Sequence, residues 1–211
     1  GSLEYDVYVV PITGGTARRL TNARERDIDP EWSPDGTRIV FTSYRNRTLA
    51  LPQQADIYVM NADGSNQVRL TSDDREDGTP DWSPDGTRIV FATQRYGDRE
   101  IAVMTPDGTG LVRLTTNPAD DDEPTWSPDG TRIAFIRTRT EGDRFGDLWW
   151  TDIGTGKAEL LAQGNLAWPE WSPDGQAIAY VTRRNDQPFV EILHLDNGDH
   201  LDVAPGLALQ A

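Results

Sequence analysis

The chain has 211 residues, enough for one or two domains with a buried core. It carries 35 acidic and 20 basic residues, a net charge of −15. That sign argues against nucleic-acid binding and favours cations or basic protein surfaces as partners. No apolar stretch approaches the roughly 20 residues of a membrane-spanning helix, so we expect no membrane insertion. The absence of cysteine excludes disulfides and cysteine-ligated zinc.

The first two residues, Gly1 and Ser2, have the composition of a cloning scar, so we expect residues 3–211 to form a single domain. The first predicted element is a hairpin that begins near Asp6, whose strands we label C and D. An A–B hairpin containing Trp-Ser-Pro-Asp-Gly follows, and the two kinds of hairpin then alternate along the chain. The pentapeptide starts at Trp32, Trp82, Trp126 and Trp171.

Each repeat carries strong strand and turn signals. Ser-Pro-Asp-Gly predicts a type I turn, and the Thr-Arg-Ile-Val-Phe segment after it is β-branched and aromatic, as strands are. Four antiparallel strands in about 45 residues are typical of a propeller blade. We therefore predict an all-β fold, a β-propeller of four-stranded antiparallel blades, in which the repeated Trp fills the gap between neighbouring blades.

The two hairpin types are unequal in number, because five C–D hairpins but only four A–B hairpins are present. The sequence therefore predicts four full blades plus one half-blade. Three interpretations fit this count. The chain is a fragment of a longer propeller, or a five-bladed ring without one inner hairpin, or a homo-oligomer in which half-blades pair between chains.

The repeated pattern resembles the TolB-type WD-like β-propeller repeat. The second repeat carries the resemblance most completely, with Pro-Asp-Trp-Ser-Pro-Asp-Gly-Thr-Arg-Ile-Val-Phe preceded by Asp-Ile-Tyr-Val-Met-Asn-Ala-Asp-Gly. Members include periplasmic TolB, which binds a peptidoglycan-associated lipoprotein, sensor domains of bacterial kinases and regulatory propellers of serine peptidases. The resemblance implies a non-catalytic protein- or ligand-binding platform, and a periplasmic or extracellular location.

Two acidic columns appear when the D–A connections are aligned on their prolines. Three residues before the proline stand Asp27, Asp77 and Asp121, and one residue after it stand Glu31, Asp81 and Glu170. Strand A is the innermost strand of a blade, so we expect the second column at the mouth of the central channel, where it would attract a basic peptide. The first column could supply oxygen ligands for Ca²⁺. The alternative is that these carboxylates are solvated or paired with arginine.

Two arginine columns accompany them. Arg45, Arg95, Arg139 and Arg184 follow strand B, and we expect them to form ion pairs with the acidic residues that open strand C: Asp56, Glu100, Asp147 and Glu191. A second column, Arg19, Arg69 and Arg113, lies in strand D. We expect it to be an outer-edge residue that discourages edge-to-edge pairing.

Segments that break the repeat are candidates for a contact surface. Leu49 and Leu51 belong to an apolar insertion, Phe145 to a lengthened connection, and Trp168 stands where sibling repeats carry Asp29 or Glu123. Exposed aromatics of this kind are common at interfaces. They could equally serve packing between blades.

The function predicted from these patterns is a non-catalytic protein- or peptide-binding scaffold, with no required cofactor and Ca²⁺ as an optional ligand. One alternative is an architectural or oligomerising propeller without a ligand of its own. Another is a hydrolase or lyase that uses loop carboxylates. Enzyme activity is disfavoured because only His194 and His200 are present and no Gly-x-Ser-x-Gly motif occurs.

Overall fold

A computed structural model describes residues 5–52, 54–138, 145–184 and 187–203. The described residues form 17 strands and no helix. None of them forms a helix with the length and apolarity that a membrane crossing needs. The strands are β1 (Tyr8–Val9), β2 (Arg18–Arg19), β3 (Asp27–Trp32), β4 (Arg38–Ser43), β5 (Asp56–Asn61), β6 (Val68–Arg69), β7 (Asp77–Trp82), β8 (Ile89–Tyr96), β9 (Asp98–Met104), β10 (Val112–Arg113), β11 (Asp121–Trp126), β12 (Arg132–Thr138), β13 (Gly146–Asp152), β14 (Ala158–Trp171), β15 (Ala177–Arg184), β16 (Gln187–His194) and β17 (His200–Asp202).

All strand pairs in these sheets are antiparallel between sequence neighbours, which confirms the predicted all-β class. The chain starts with the two-stranded sheet β1–β2, followed by the four-stranded sheets β3–β6 and β7–β10. The inner strands β3, β7, β11 and β14 succeed one another in space. This order places the strands labelled A from the sequence on the inside of each unit.

The last sheet differs from the prediction of separate blades, because β11 to β17 form one seven-stranded sheet. Strand β14 is 14 residues long and serves as the outer strand of one four-stranded unit and the inner strand of the next. Its continuity comes from pairing of Leu166 with Gly146 and from the Gly164 N–H, which donates to Asp147 Oδ1 over 2.9 Å. In two other connections the backbone pairs at the equivalent place, with Asp77 N–H donating to the Ala55 carbonyl and Asp27 N–H to the Tyr5 carbonyl, but there the strand is not continuous through the connection.

The four Ser-Pro-Asp-Gly segments form one repeated turn. In the first, Gly36 N–H donates to the Ser33 carbonyl (2.8 Å), while Ser33 Oγ and Thr37 N–H donate to Asp35 Oδ1 (2.6 and 3.0 Å). These hydrogen bonds lower the pKa of Asp35 to about 2. A carboxylate so fully occupied by its own turn is structural, so these turns hold the fold rather than a ligand.

The hydrophobic core lies between successive sheets. Trp82 packs with Val40 and Ile57 of the preceding sheet, and it is only 4% exposed. Trp126 repeats this arrangement one sheet later, where it is 6% exposed. Burial of large apolar side chains contributes roughly 1.5–3 kcal/mol each. The predicted packing role of the repeated Trp is therefore seen at these two interfaces.

Candidate functional site

Each inner strand contains a bulge at the residue before its proline. Asp29, Thr79, Glu123 and Trp168 have φ angles of 51°, 49°, 54° and 51°, and the pairing register shifts at the same places. A positive φ is unfavourable for residues other than glycine, and the α conformation is disfavoured further before proline. Bulges redirect side chains near functional sites. These four positions differ in side chain while sharing one backbone conformation.

Hydrogen bonds tie the bulges to neighbouring sheets. Thr79 N–H donates to Thr42 Oγ1 over 3.1 Å, and Thr79 Oγ1 donates to Asp122 Oδ1 over 2.9 Å. Trp168 N–H donates to Glu123 Oε2 over 2.6 Å. The bulges at Thr79 and Trp168 are thereby held by a neighbouring sheet, which stabilises their otherwise strained backbone.

Glu31, Asp81 and Glu170, which we call the inner carboxylates, each lie one residue after the proline of an inner strand. Partial burial, and then repulsion from Asp81, Glu170 and Asp29, raises the pKa of Glu31 to about 7. Strands β3 and β14 do not contact each other, but β7 and β11 lie between them in the succession of inner strands, and the charges of Asp81 and Glu170 both act on Glu31. The structure therefore brings this predicted column together.

The other two inner carboxylates respond in the same direction. Burial raises the pKa of Asp81 to about 6, although the backbone amides of Trp126 and Trp82 oppose the shift. Burial and then repulsion from Asp81 raise the pKa of Glu170. No cation acts on Glu31 or Glu170, and neither has a hydrogen-bond or ion-pair partner in the described part of the chain. Within the described residues, no cation therefore neutralises Glu31 or Glu170 when they are ionised.

Asp27, Asp77 and Asp121 behave differently, and we call them the arginine-bound carboxylates. All three are buried, and they lie in three separate blade units. Each binds an arginine of the adjacent strand or of the turn after it: Arg45 to Asp27 (2.9 Å), Arg95 to Asp77 (2.8 Å) and Arg137 to Asp121 (2.7 Å). Among the described residues, no group of three or more acidic or histidine side chains could hold a metal ion. The Ca²⁺ site stays a prediction without support from this geometry.

The arginines of the two columns form ion pairs with different carboxylates from those predicted from the sequence. Arg45 and Arg95 bind the first acidic column, as described above, and not Asp56 and Glu100. Asp56 and Glu100 are bound instead by Arg69 and Arg113. The second arginine column therefore forms ion pairs with buried carboxylates, a role that the sequence did not predict, although β6 and β10 are the outer strands of their sheets. The reason is geometric, since strand D lies beside strand C and its arginine reaches back along the sheet.

The predicted ion pairs of the other two arginines of the first column fall outside the described part of the chain. Arg139 lies outside the described residues, as does the side chain of Arg184. In the third repeat the partner of Asp121 is Arg137, which lies two positions earlier than the aligned column.

Arg99 is a residue that the sequence reasoning missed. It binds Glu76 (2.7 Å), in the connection between β6 and β7, and Asp122 (2.5 Å), in the inner strand β11. Tyr44 donates its hydroxyl to the same Glu76 over 2.8 Å. Burial alone would lower the pKa of Arg99, but Asp122 and Glu76 raise it above its ordinary value. Arg99 thus neutralises Glu76 and Asp122. The signal in the sequence was that only this repeat has an arginine directly before strand C, where Ala55 and Gly146 stand in its neighbours.

The predicted aromatic and aliphatic contact residues occupy two places. The Trp168 side chain is 57% exposed, and its ring meets that of Phe145 edge to face at 6.4 Å. Phe145 is also covered by the Arg183 guanidinium, 4.9 Å from its ring centre. Leu49 is fully exposed, and Leu51 is half-buried, on the connection between β4 and β5. Trp168 alone of these four belongs to an inner-strand bulge.

Successive antiparallel sheets with their first strands gathered on the inside define a β-propeller. The family model of the TolB beta propeller domain matches residues 47–205, and the chain belongs to this family. No curated protein matches the sequence.

Solved structures agree with this assignment. TolB from Acinetobacter baumannii superposes with a TM-score of 0.76 at 26% identity, over 93% of this chain. The chain spans 48% of that protein's length. An oligogalacturonate lyase in complex with manganese (TM-score 0.70, 14% identity) is matched over 95% of this chain and 59% of its own. A puromycin-hydrolyzing peptidase from Mycobacterium tuberculosis (0.69, 14%) is matched over 88% and 30%. The last two share the fold alone.

Proposed function

We propose that this chain is a non-catalytic protein-binding module whose inner carboxylates, Glu31, Asp81 and Glu170, receive a cationic segment of a partner protein. The segment carries Lys or Arg side chains, because these cations complement the uncompensated charge. A periplasmic or extracellular location, which the family resemblance implies, is part of the same proposal.

The contrast between the two acidic columns carries this proposal. The arginine-bound carboxylates are each neutralised within their own sheet. Glu31 and Glu170, in contrast, are exposed and have no cationic partner among the residues that the structure describes. Arginine pairing is therefore common at the other acidic column, and its lack at Glu31 and Glu170 distinguishes these two carboxylates. A bound cation reduces the repulsion among these carboxylates, and this contributes to the free energy of binding. Complementary charge of this kind governs both the choice of partner and the association rate.

The neighbouring aromatic ring adds a second recognition element. Trp168 is exposed two residues before Glu170 in the same inner strand. A guanidinium or ammonium group can lie on an indole face while it bonds to a carboxylate nearby. Pairing an aromatic surface with an acidic one favours a Lys- or Arg-containing peptide over a simple metal cation.

The histidines do not join this site. His200 Nδ1 lies 2.7 Å from the Tyr180 hydroxyl, which is also 2.9 Å from Glu191 Oε2. Tyr180 is only 2% exposed, and these residues belong to the middle and outer strands of the last unit. We therefore propose binding rather than acid–base catalysis through histidine.

A charge-matched comparison tests the proposal. The inner variant combines Glu31→Gln, Asp81→Asn and Glu170→Gln. The control variant combines Asp74→Asn, Asp98→Asn and Asp196→Asn, which are exposed elsewhere, and both variants are compared at pH 8.5, where all six carboxylates are ionised and each variant removes three charges. We expect a hexa-lysine peptide to bind the wild-type chain in titration calorimetry, roughly tenfold more weakly to the inner variant, and within about twofold of wild type to the control. Equal losses in both variants would show that only net charge matters and would reject the site.

A further inference from the structure

Arg99 joins the starts of two neighbouring inner strands, β7 and β11. Its Nη2 lies 2.7 Å from Glu76 Oε2, directly before β7, and its Nη1 lies 2.5 Å from Asp122 Oδ2, in β11. The backbone N–H of Arg99 donates to Asp120 Oδ1 over 2.8 Å, directly before β11. One residue of strand β9 therefore binds acidic side chains that belong to two successive blade units.

The carboxylate of Asp122 connects Arg99 to two of the bulges. Its Oδ1 accepts a hydrogen bond from Thr79 Oγ1 over 2.9 Å and another from the Glu123 N–H over 2.8 Å. Thr79 and Glu123 are the residues with positive φ in β7 and β11. A backbone of this kind persists only where its surroundings hold it. Here the carboxylate that holds both bulges is itself held by Arg99.

The bulges in turn determine where the recognition side chains lie. Asp81 follows the Thr79 bulge by two residues, and a bulge redirects the side chains of its strand. Glu123 Oε2 accepts the Trp168 N–H over 2.6 Å, so the bulge of β11 also holds the bulge of β14, two residues before Glu170. This chain of hydrogen bonds thus reaches two of the three inner carboxylates.

The third blade unit in contact with this network fixes Glu76. The Tyr44 hydroxyl, directly after β4, donates to Glu76 Oε1 over 2.8 Å, and the Arg26 guanidinium lies 4.4 Å from the Tyr44 ring centre. The side chains of Arg99 and Glu76 are both mostly buried. A planar guanidinium that bridges two carboxylates fixes their relative position more closely than a single point charge does.

We propose that Arg99 is a positioning residue for the cation-binding site, which sets the placement of β7, β11 and β14 and thereby the arrangement of Asp81 and Glu170. This inference rests on the proposed function, because the site that Arg99 positions is the one proposed there. Arg99 acts through Asp122 and not by contact with the partner. Its charge opposes this role, since a cation near an acidic site weakens the binding of a second cation.

Charge and position therefore predict effects of opposite sign. Arg99→Gln removes a positive charge, so by charge alone a cationic peptide should bind more tightly. If Arg99 positions the inner strands, the same variant should bind hexa-lysine roughly fivefold more weakly in titration calorimetry at pH 8.5, where the inner carboxylates are ionised. Arg88→Gln removes an exposed arginine directly before β8. It is the charge-matched control, and it should not weaken binding.

Two further variants separate the hydrogen bonds from the charge. Thr79→Val removes the hydroxyl that donates to Asp122 without a change in charge, and we expect roughly threefold weaker binding. Thr87→Val removes a hydroxyl that donates to Asp85 in a turn, and its affinity should stay within about twofold of wild type. Arg99→Lys keeps the charge but lacks the planar fork, so it should also weaken binding.

The pKa of Glu31, measured by carbon-detected NMR, reports on the same positioning without a peptide. Burial and then repulsion from Asp81 and Glu170 raise this pKa, so displacement of the inner strands should lower it towards its ordinary value in Arg99→Gln and Thr79→Val. Loss of the arginine charge alone would raise it. Circular dichroism and thermal melts establish that each variant is folded.

Three results would each overturn the proposal: unchanged or tighter binding of hexa-lysine by Arg99→Gln, full affinity in Arg99→Lys, or a pKa of Glu31 that falls in neither variant. Absence of hexa-lysine binding to the wild-type chain would instead reject the proposed function. In that case the pKa of Glu31 in Arg99→Gln and Thr79→Val still decides whether Arg99 positions the inner carboxylates.

Discussion

The carboxylate of Asp81 accepts a hydrogen bond from the backbone N–H of Trp126 in the next sheet, over 2.9 Å. One residue of the inner column is therefore joined to the residue that seals the interface between two blades. The opposing effects on its pKa, burial and two backbone amides, reflect this double position. A cation bound at the inner carboxylates, as we propose, would therefore act on the packing of the blades through Asp81.

The repeated Trp residues should differ in their contribution to stability. Trp126→Ala removes a buried ring from a packed cluster, and we expect a loss of about 3–5 kcal/mol. Trp32→Ala removes a half-exposed ring, and the loss should be less than half as large. Urea unfolding monitored by circular dichroism measures both. Equal losses would contradict the difference in burial between the two rings.

Stability should depend on pH through the inner carboxylates. The pKa of Glu31 is raised in the fold from 4.5 to about 7, so the folded state binds more protons than the unfolded chain between these values. The free energy of unfolding from this group is therefore highest below pH 4.5 and falls as the pH rises towards 7. Glu31→Gln should flatten this part of the profile. A wild-type and variant pair with parallel profiles from pH 4.5 to 8 would contradict the raised pKa.

The corrected arginine pairing has its own consequence. Arg69→Met leaves Asp56, which is fully buried, without its partner, and we expect a loss of about 3 kcal/mol. Lys157 and Glu159 form an exposed pair, so Lys157→Met should cost less than about 1 kcal/mol. Chemical unfolding of the two variants makes the comparison. A negligible effect of Arg69→Met would contradict a stabilising Arg69–Asp56 pair and would favour the outer-edge role predicted from the sequence.

The glycines of the C–D turns should also be unequal. Gly108 has a φ of +83° and a carbonyl oxygen at 2.7 Å from its Cβ position, whereas Gly198 has a φ of +74° and an open Cβ position. Gly108→Ala therefore adds a steric clash to the backbone strain that both substitutions share. We expect a larger fall in melting temperature for Gly108→Ala. The reverse order would contradict the close contact between successive sheets.

Much of the fold was predictable because the same strand and turn signals recur in every repeat. Trp32 and its three siblings fixed the period, and the turns at Asp35 and its equivalents fixed the hairpins. The fusion of two units through β14 was not predictable, since it depends on the pairing of Leu166 with Gly146, 20 residues earlier. Its nearest local signal was the absence of an acidic residue at Leu166, where the siblings carry aspartate.

The site was predictable in position but not in detail. The column of Glu31, Asp81 and Glu170 followed from alignment on the prolines. The positive φ at Asp29 and its equivalents did not, because residues before proline ordinarily avoid it. The partners of Arg45 and Arg69 depended on which of two neighbouring strands each side chain reaches, and sequence spacing does not decide this.

The most direct measurement is the titration of the inner carboxylates by carbon-detected NMR, with and without the hexa-lysine peptide. In the free chain we expect the pKa of Glu31 at about 7, because Asp81 and Glu170 repel its charge in a partly buried position. A bound cation stabilises the ionised carboxylates, so the pKa of Glu31 should fall clearly when the peptide is present. A pKa of Glu31 that stays unchanged at saturating peptide would contradict the proposed binding site.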